Sequence, residues 1–279
     1  MTRKAIVALA AGTALAALFA TGCEKLKARD HLNKGVASFK NAKYQDAVDH
    51  FKEAVKLDPN YPTARLYLAT AYMNQYIPGA DSPENNQMGQ AAEDTFKQVL
   101  DQDPNNTLAL ASLASLKFSQ SQGITDQDAK MKKLDEAKEW NQKLVAVDPK
   151  NKEANYSLGV IAWAKWYPAL MAERAKLGMK PEDPGPLKDK AAREELKAKY
   201  GAMVDDGIQS LEKALEIDKE YDDAMAYMNL LIRERADLAD NAEDYRKQVE
   251  VADNWVSKAL ETKKIKASRT PSAATGGEK

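Results

Sequence analysis

The feature that most constrains this chain is a short helical pattern that stops at a proline. Over residues 43–59 the apolar side chains, Phe51 among them, recur at the three- and four-residue spacing of one helix face. The pattern ends at Pro59, because proline cannot continue a helix. An earlier helical run around Gly35 can pack closely against this helix. The two runs predict a helix hairpin, which cannot bury its own apolar faces alone.

The same pattern recurs in four further units. Each unit has small or apolar residues on a first helix and again on a second helix. The residues that carry the recurrence are Leu68, Ala69, Ala92 and Phe96; Leu113, Ala114, Ala137 and Leu144; Leu158, Gly159, Gly207 and Leu211; and Met228, Asn229, Ala252 and Val256. An aspartate closes the first four units, at Asp58, Asp103, Asp148 and Asp218, and we expect these aspartates to be structural.

The spacing of small, aromatic and proline residues in the first unit resembles the tetratricopeptide repeat (TPR), a helix-turn-helix of about 34 residues. The residues that carry it are Gly35, Tyr44, Ala47, Phe51, Ala54 and Pro59. The resemblance implies an all-α fold, a right-handed α-solenoid of about five helix hairpins. The predicted solenoid covers residues 28–262, with repeats at about 28–61, 62–106, 107–151, 152–221 and 222–262.

Several repeats depart from the family's length. The second, third and fifth are each longer by about 11 residues, close to three helical turns. This predicts lengthened hairpins, in which the first helix ends at Pro78-Gly79 in repeat two, at Gly123 in repeat three and at Pro168 in repeat four. Irregular loop of the same length is the alternative. Ser82 and Thr125 are expected to cap the helices that follow.

The fourth repeat carries a larger insertion, at about 164–203. Residues 179–186 contain three prolines and cannot be helical, and residues 187–200 resume as a charged helix. Trp163 and Trp166 stand near its start. Two interpretations remain open: the two rings pack as core beneath the long hairpin, or they are exposed on a flap that binds a partner.

The N-terminus has the layout of a secretory signal, with basic Arg3 and Lys4 before an apolar run that reaches Ala20. The small residues ahead of Cys23 resemble a bacterial lipoprotein cleavage site. The resemblance implies a signal peptide at 1–22, acylation of Cys23, a lipidated N-terminus at 23–27 and membrane attachment. Glu24, where an aspartate would mark inner-membrane retention, favours the outer membrane, facing the periplasm. An ordinary signal junction with a chance cysteine is the alternative.

TPR arrays bind peptides or helices on a concave face lined by their first helices, and the resemblance transfers that role to one series of positions here. They are Leu32, Val36, Phe39, Leu66, Thr70, Met73, Ala111, Ser115, Phe118, Tyr156, Val160 and Trp163. The lysine, asparagine and arginine of the chaperone-type carboxylate clamp are missing from them. The large apolar members suit an amphipathic helix or an apolar peptide, or else they are ordinary packing against the second helices.

Other function classes have little support in the sequence. A formal net charge of -1 lacks the excess of basic residues that is typical of nucleic-acid-binding proteins. The only histidines, His31 and His50, fall on different helices, and no metal-ligand or nucleophile motif is visible. Asp205-Asp206 and Asp222-Asp223 are interpreted as solvated helix caps. We therefore expect no enzyme activity, no cofactor and no metal.

The last residues, 263–279, are small, polar and basic, and they predict a disordered tail. Taken together, the patterns predict a lipid-anchored scaffold that mediates protein–protein interactions in the bacterial cell envelope. The partner lipoprotein of outer-membrane barrel assembly and the pilotin of type IV pilus secretins are analogues only in their fold and their cellular location. An envelope accessory protein that binds glycan or another ligand is the alternative.

Overall fold

A computed structural model describes residues 23–269, and all regular secondary structure within that range is helical. The predicted signal peptide and residues 270–279 lie outside the described residues. The helices are α1 (23–40), α2 (Tyr44–Leu57), α3 (Pro62–Met73), α4 (Pro83–Gln102), α5 (Thr107–Gln122), α6 (Gln127–Val147), α7 (Lys152–Lys176), α8 (Lys190–Ile217), α9 (Asp222–Arg235) and α10 (Ala242–Arg269). A 3₁₀ turn at Ala236–Leu238 links α9 to α10. The predicted all-α class is confirmed.

The chain divides into two compact units, one up to Gln127 and one from Asp128 onward. Within the first unit, α3 packs against α2, α4 and α5. Within the second, α7 packs against α8 and α9, and α9 packs against α8 and α10. The odd-numbered helices from α3 to α9 are the first helices of the predicted repeats, so in each unit two neighbouring first helices touch.

The base of the first hairpin depends on a glycine. A Cβ atom added at Gly35 in α1 would lie 2.5 Å from Cε1 of Phe51 in α2, so only a hydrogen lets the ring approach. Phe51 is fully buried, and Leu32 and Leu68 belong to the same core. The close contact explains why the pattern places a small residue on the first helix opposite an aromatic residue on the second.

The turns between successive repeats share one hydrogen bond. In each, a carboxylate oxygen of the closing aspartate accepts from the backbone N–H two residues later, over 3.2 Å at Asp58, 3.3 Å at Asp103, 3.2 Å at Asp148 and 2.9 Å at Asp218. An aspartate side chain that bonds its own backbone in this way stabilises a tight turn. The structural role predicted for these four residues is confirmed.

The second hairpin corrects one expectation. Its first helix is not lengthened, since α3 has 12 residues and ends at Met73, whereas α4 has 20. Asn85 in α4 fixes the loop before it, because the amide side chain donates to the carbonyls of Ile77 and Ala80 and accepts from the N–H of Ile77. The Ser82 cap is confirmed: its hydroxyl accepts from the N–H of Asn85 at 3.2 Å.

The fourth hairpin repeats the glycine contact at greater length. A Cβ at Gly159 would lie 2.4 Å from Cγ of Leu211, and one at Gly207 would lie 2.5 Å from Cβ of Ala162. α7 has 25 residues and α8 has 28. α8 is a single helix from Lys190 on, so the charged stretch predicted at 187–200 is an extension of the second helix.

Pro168 does not end α7, contrary to expectation, but lies inside it. Trp166 and Leu170 on either side of the proline are both fully buried in the core of the second unit. Burial of two large side chains offsets the cost of about 3 kcal/mol that an internal proline imposes on a helix. The helix ends instead before Gly178, whose φ of +65° is the left-handed conformation that favours glycine.

The insertion then forms a fixed loop before α8. The Arg174 guanidinium, almost fully buried, bonds the Asp237 carboxylate at 2.5 Å and the carbonyls of Lys180 and Asp183. Leu187 is fully buried, and its N–H donates to the carbonyl of Asp237. The region from 179 to 186 is non-helical, as predicted.

The last helix extends further than expected. α10 continues to Arg269, so residues 263–269 are helix and not the start of a disordered tail. Lys266 pairs with Asp222 at 2.5 Å, and Arg269 pairs with Glu220 at 2.6 Å. Because Lys266 covers it, Asp222 is buried and is not the solvated cap that its sequence predicted.

Candidate partner-binding faces

The predicted binding residues of the first unit lie on its first helices. Leu32 is buried in the core, whereas Val36 and Phe39 are half-buried against it. On α3, Leu66, Thr70 and Met73 are also half-buried. The Thr70 hydroxyl donates to the carbonyl of Leu66 at 2.8 Å, so it is satisfied within its own helix.

The first helix of the third repeat, α5, presents both apolar and polar side chains. Ala111 and Phe118 are half-buried, and Ser115 is exposed. We call the surface formed by these residues of α3 and α5, together with those of α1, the unit 1 face. Its members are aliphatic side chains, small polar side chains and the rings of Phe39 and Phe118.

The predicted residues of the second unit are Tyr156, Val160 and Trp163, all on α7. Val160 is buried at 9% exposure, whereas the two aromatic rings are half-buried and pack against the core. Trp166 is a core residue. The core interpretation therefore applies to Trp166, whereas Trp163 has an edge at the surface.

Around Trp163 the structure gathers four tyrosines. The Tyr227 ring of α9 meets the Tyr156 ring edge to face at 5.6 Å and the Trp163 ring at the same distance. Tyr167 stacks on Trp163 at 5.2 Å, and Tyr221 lies 5.0 Å from Tyr156. These spacings are those of favourable aromatic pairs. We call this cluster of Tyr156, Trp163, Tyr167, Tyr221 and Tyr227 the unit 2 face.

Glu234 on α9 holds the tryptophan in place. Its Oε1 accepts from the Trp163 indole N–H at 3.0 Å, while its Oε2 is buried without a hydrogen-bond partner among the described residues. Burial raises the pKa of Glu234 to about 7, and the Asp237 carboxylate adds to the rise. Glu234 therefore gains or loses its charge near neutral pH, directly beside the aromatic cluster.

Carboxylates border the unit 2 face. Burial raises the pKa of Tyr156, Tyr221 and Tyr227, and the exposed Asp223 contributes to the rise in all three. For Tyr221, whose pKa reaches about 12, Glu153 contributes as well. Cations lie at the same edge. Nζ of Lys152 lies 5.2 Å from the centre of the Tyr221 ring, bonds Asp218 at 2.7 Å and lies 3.9 Å from Glu153. Lys266 pairs with Asp222, the neighbour of Tyr221 in sequence.

The sequence pattern predicts only part of this face. Tyr167, Tyr221, Tyr227 and Glu234 were absent from the predicted series. A signal for Tyr167 did exist, because residues 156, 163 and 167 share one side of a helix by their spacing of seven and four. The pairing of Tyr227 with Trp163 depends on how α9 packs on α7, and no spacing within either helix could reveal it.

The two histidines are neighbours in space. Nδ1 of His31 in α1 lies 3.4 Å from Nδ1 of His50 in α2, within hydrogen-bond reach. Over residues 23–269 no group of three or more histidine, cysteine, aspartate or glutamate side chains is arranged to hold a metal ion. Cys23 is exposed at the start of α1. In the same described range, no helix is both long and apolar enough to cross a bilayer.

Comparison with known proteins supports the same class. Residues 35–75 match the family model described as a TPR repeat, which covers the close contact between Gly35 and Phe51. No curated protein matches the chain. The repeated hairpins with their shared aspartate turns, together with this match, identify the fold as that of tetratricopeptide-type repeats.

Two solved structures show the same fold. The crystal structure of the MamA protein is 16% identical, covers 89% of this chain and 98% of its own, and superimposes with a TM-score of 0.54. MamA from Desulfovibrio magneticus RS-1, from residue 41 to its end, is 15% identical, covers 86% and 96%, and has a TM-score of 0.51. At this identity the likeness concerns the fold alone.

Proposed function

We propose that this protein is a lipid-anchored scaffold that binds protein partners through its first-helix faces in the bacterial cell envelope. The observation that carries the proposal is the unit 2 face, where Trp163, Tyr167 and Tyr227 form a partly exposed aromatic surface on the packed helices α7 and α9. Aromatic side chains of this kind are typical anchors of protein interfaces. TPR folds present such surfaces for peptide or helix binding.

The lipid anchor is proposed on the sequence around Cys23 and on the exposure of this cysteine at the beginning of α1. Several acyl chains on one N-terminus hold a protein stably at a membrane, whereas one chain does not. The outer membrane, with the protein facing the periplasm, is the proposed location, because Glu24 follows the cysteine.

The anchor is tested in cells by metabolic labelling with a palmitate analogue and by membrane fractionation. The wild-type protein is expected to incorporate the label and to sediment with outer-membrane vesicles. The Cys23→Ser variant should retain its signal sequence and lose the label. Labelling of both proteins, or of neither, would contradict the assignment of Cys23 as the acylated residue.

Partner binding is tested by affinity capture from detergent-solubilised envelope, followed by mass spectrometry. The bait with Phe39, Phe118 and Trp163 changed to Ala is compared with the wild type, after circular dichroism has shown that it folds. A partner that the wild type captures directly and the variant loses supports the first-helix faces. Equal capture by both would move binding to another surface, such as the loop at 178–189.

A further inference from the structure

The first hairpin brings together the only two histidines of the sequence. Nδ1 of His31 in α1 lies 3.4 Å from Nδ1 of His50 in α2, whereas the ring centres are 5.6 Å apart with the ring planes tilted by 48°. Because the nitrogens are much closer than the ring centres, the two rings meet through their Nδ1 edges. No other hydrogen bond to either ring is found among residues 23–269. The two Nδ1 atoms therefore face one small space.

The distance between the two nitrogens is that of two ligands on one metal ion. Zinc binds imidazole nitrogen at about 2.0–2.1 Å with tetrahedral geometry, which places two nitrogen ligands about 3.3–3.4 Å from each other. The observed 3.4 Å falls within that range. It is longer than the usual length of an N–H···O hydrogen bond, about 2.7–3.2 Å. The soft χ2 angle of histidine allows the small ring rotation that directs both lone pairs at one ion.

The packing of α1 on α2 holds the pair in place. Leu32, which follows His31, and Phe51, which follows His50, are both buried in the core of the first unit. The close contact between Gly35 and Phe51 lies about one helical turn from His31. Ligands on elements that are already packed need little further ordering to bind a metal. The two rings are themselves half-buried, so an ion and its water ligands can reach them.

The charges next to the pair on α1 are of both signs. Asp30 precedes His31, and Lys34 pairs with its carboxylate at 2.7 Å. This pairing lowers the pKa of Asp30, and both histidines add to the lowering, so the carboxylate lies within electrostatic range of both rings. Since Lys34 compensates Asp30, the type of ligand selects the ion rather than the local charge. Imidazole nitrogen suits zinc, whereas magnesium prefers oxygen ligands.

We propose that His31 and His50 bind one zinc ion through their Nδ1 atoms, with water in the remaining positions. The ion joins α1 to α2 and stabilises the first hairpin. The described residues offer no group of three histidine, cysteine, aspartate or glutamate ligands, so the ion is held less tightly than in zinc sites with three or four. The sequence predicts no metal because the two histidines, 19 residues apart on different helices, match no zinc motif. The inference does not depend on the proposed scaffold function.

The test uses the full chain in a non-ionic detergent, purified without a polyhistidine tag. It carries Cys23→Ser, so that a free thiol does not bind zinc. Titration calorimetry with zinc chloride is expected to show saturable binding of one ion per chain at micromolar concentration, which excess magnesium chloride does not displace. At zinc about five times above its dissociation constant, thermal unfolding followed by circular dichroism should shift upward by about 2–4 °C, and a chelator should reverse the shift.

Two variants localise the ion. His31→Asn and His50→Asn should each weaken zinc binding at least about tenfold, since loss of a residue that merely orients a metal ligand already costs that much. Both should also lose the thermal shift. Asp30→Asn is the matched control on α1. Because Asp30 is exposed and paired with Lys34, its loss should change the affinity by less than about fivefold. Circular dichroism without zinc first shows that each variant folds.

Unchanged zinc binding in both histidine variants would overturn the inference, as would displacement of zinc by magnesium or the absence of saturable binding. If a histidine variant does not fold, X-ray absorption spectroscopy of the zinc-loaded parent protein decides between the outcomes. Two imidazole nitrogens at about 2.0–2.1 Å from the metal are expected. A shell of oxygen atoms alone would exclude His31 and His50 as ligands.

Discussion

The first and fourth hairpins share one contact and differ in almost everything beyond it. In both, a glycine on the first helix receives a large apolar side chain from the second, Phe51 against Gly35 and Leu211 against Gly159. α2 has 14 residues, whereas α7 and α8 have 25 and 28. The glycine contact therefore sets the base of a hairpin, while the length of the hairpin depends on what else its helices can bury.

The longer hairpin needs a core of its own. Trp166, Leu170 and Leu187 are each fully buried in the part that the first hairpin lacks. A buried ion pair between Arg174 and Asp237 closes the far end and ties the loop to the turn after α9.

Breaking the buried pair should affect the second unit most strongly. Asp237→Ala leaves the Arg174 guanidinium buried without its carboxylate, which is expected to cost about 3–5 kcal/mol in the free energy of unfolding. Urea unfolding followed by circular dichroism measures it. The exposed pair of Lys34 and Asp30 provides the control, and Asp30→Ala should leave the unfolding midpoint where it was. Equal losses in both variants would mean that burial does not distinguish the two pairs.

Glu234→Gln should change how stability depends on pH. The folded-state pKa of Glu234 is raised from 4.5 to about 7, so the folded protein holds more protons than the unfolded chain between these values. Its carboxyl therefore makes stability fall as pH rises through that window. The amide still accepts from Trp163 and does not titrate. At pH 8 we expect the variant to be more stable than the wild type by up to about 3 kcal/mol, with the difference absent at pH 4.

Urea unfolding at several pH values between 4 and 8 measures this effect, and Glu182→Gln, at an exposed site, is the control. A constant difference between Glu234→Gln and the wild type across that range would show that Glu234 does not titrate in the window.

Gly159→Ala should strain the long hairpin, because the new Cβ would lie 2.4 Å from Leu211. Overpacking of this kind costs about 1–3 kcal/mol. Gly35→Ala should act similarly against Phe51, where the distance is 2.5 Å. Gly201→Ala is the matched control, since the nearest atom to its Cβ is Cγ of Lys197 at 3.6 Å, and it should stabilise α8 by about 1 kcal/mol. Differential scanning calorimetry measures the changes in stability, which should be opposite in sign. A loss of stability in Gly201→Ala as large as that in Gly159→Ala would refute the role of the close contact.

The turn aspartates should give the smallest effect. Asp103→Ala removes the acceptor for the N–H of Asn105 and for the side chain of Asn106, with an expected loss of about 1 kcal/mol. Asp101→Ala, on the exposed side of α4, should be close to neutral. If the two substitutions destabilise equally, the turn bond does not explain why an aspartate closes these repeats.

The repeated pattern was enough to predict the all-α hairpins and the aspartate turns, since the helices follow from the spacing of their apolar residues and each turn from a hydrogen bond between residues two apart. Local signals misplaced three helix ends. Pro168 lies within α7 because Trp166 and Leu170 are anchored in the core, α3 stops at Met73 because Asn85 fixes the following loop, and α10 reaches Arg269 because Glu220 pairs with it. Each depends on a partner distant in the chain.

The candidate site shows the same limit. Tyr156 and Trp163 could be predicted from their positions on a first helix. Tyr227 and Glu234 come from the next repeat, and their roles follow only from the packing of α9 on α7. The raised pKa of Glu234 arises from burial, which no residue pattern in the sequence records.

Photo-cross-linking in living cells shows directly whether the first-helix faces bind partners. A benzophenone amino acid is placed at Tyr167 on the unit 2 face, at Phe118 on the unit 1 face, and at Leu260, which is 55% exposed on α10. Scaffold binding through the first-helix faces predicts cross-linked protein partners at Tyr167 and Phe118 and none at Leu260. Equal cross-linking at all three positions, or cross-linking at Leu260 alone, would contradict binding through the first-helix faces.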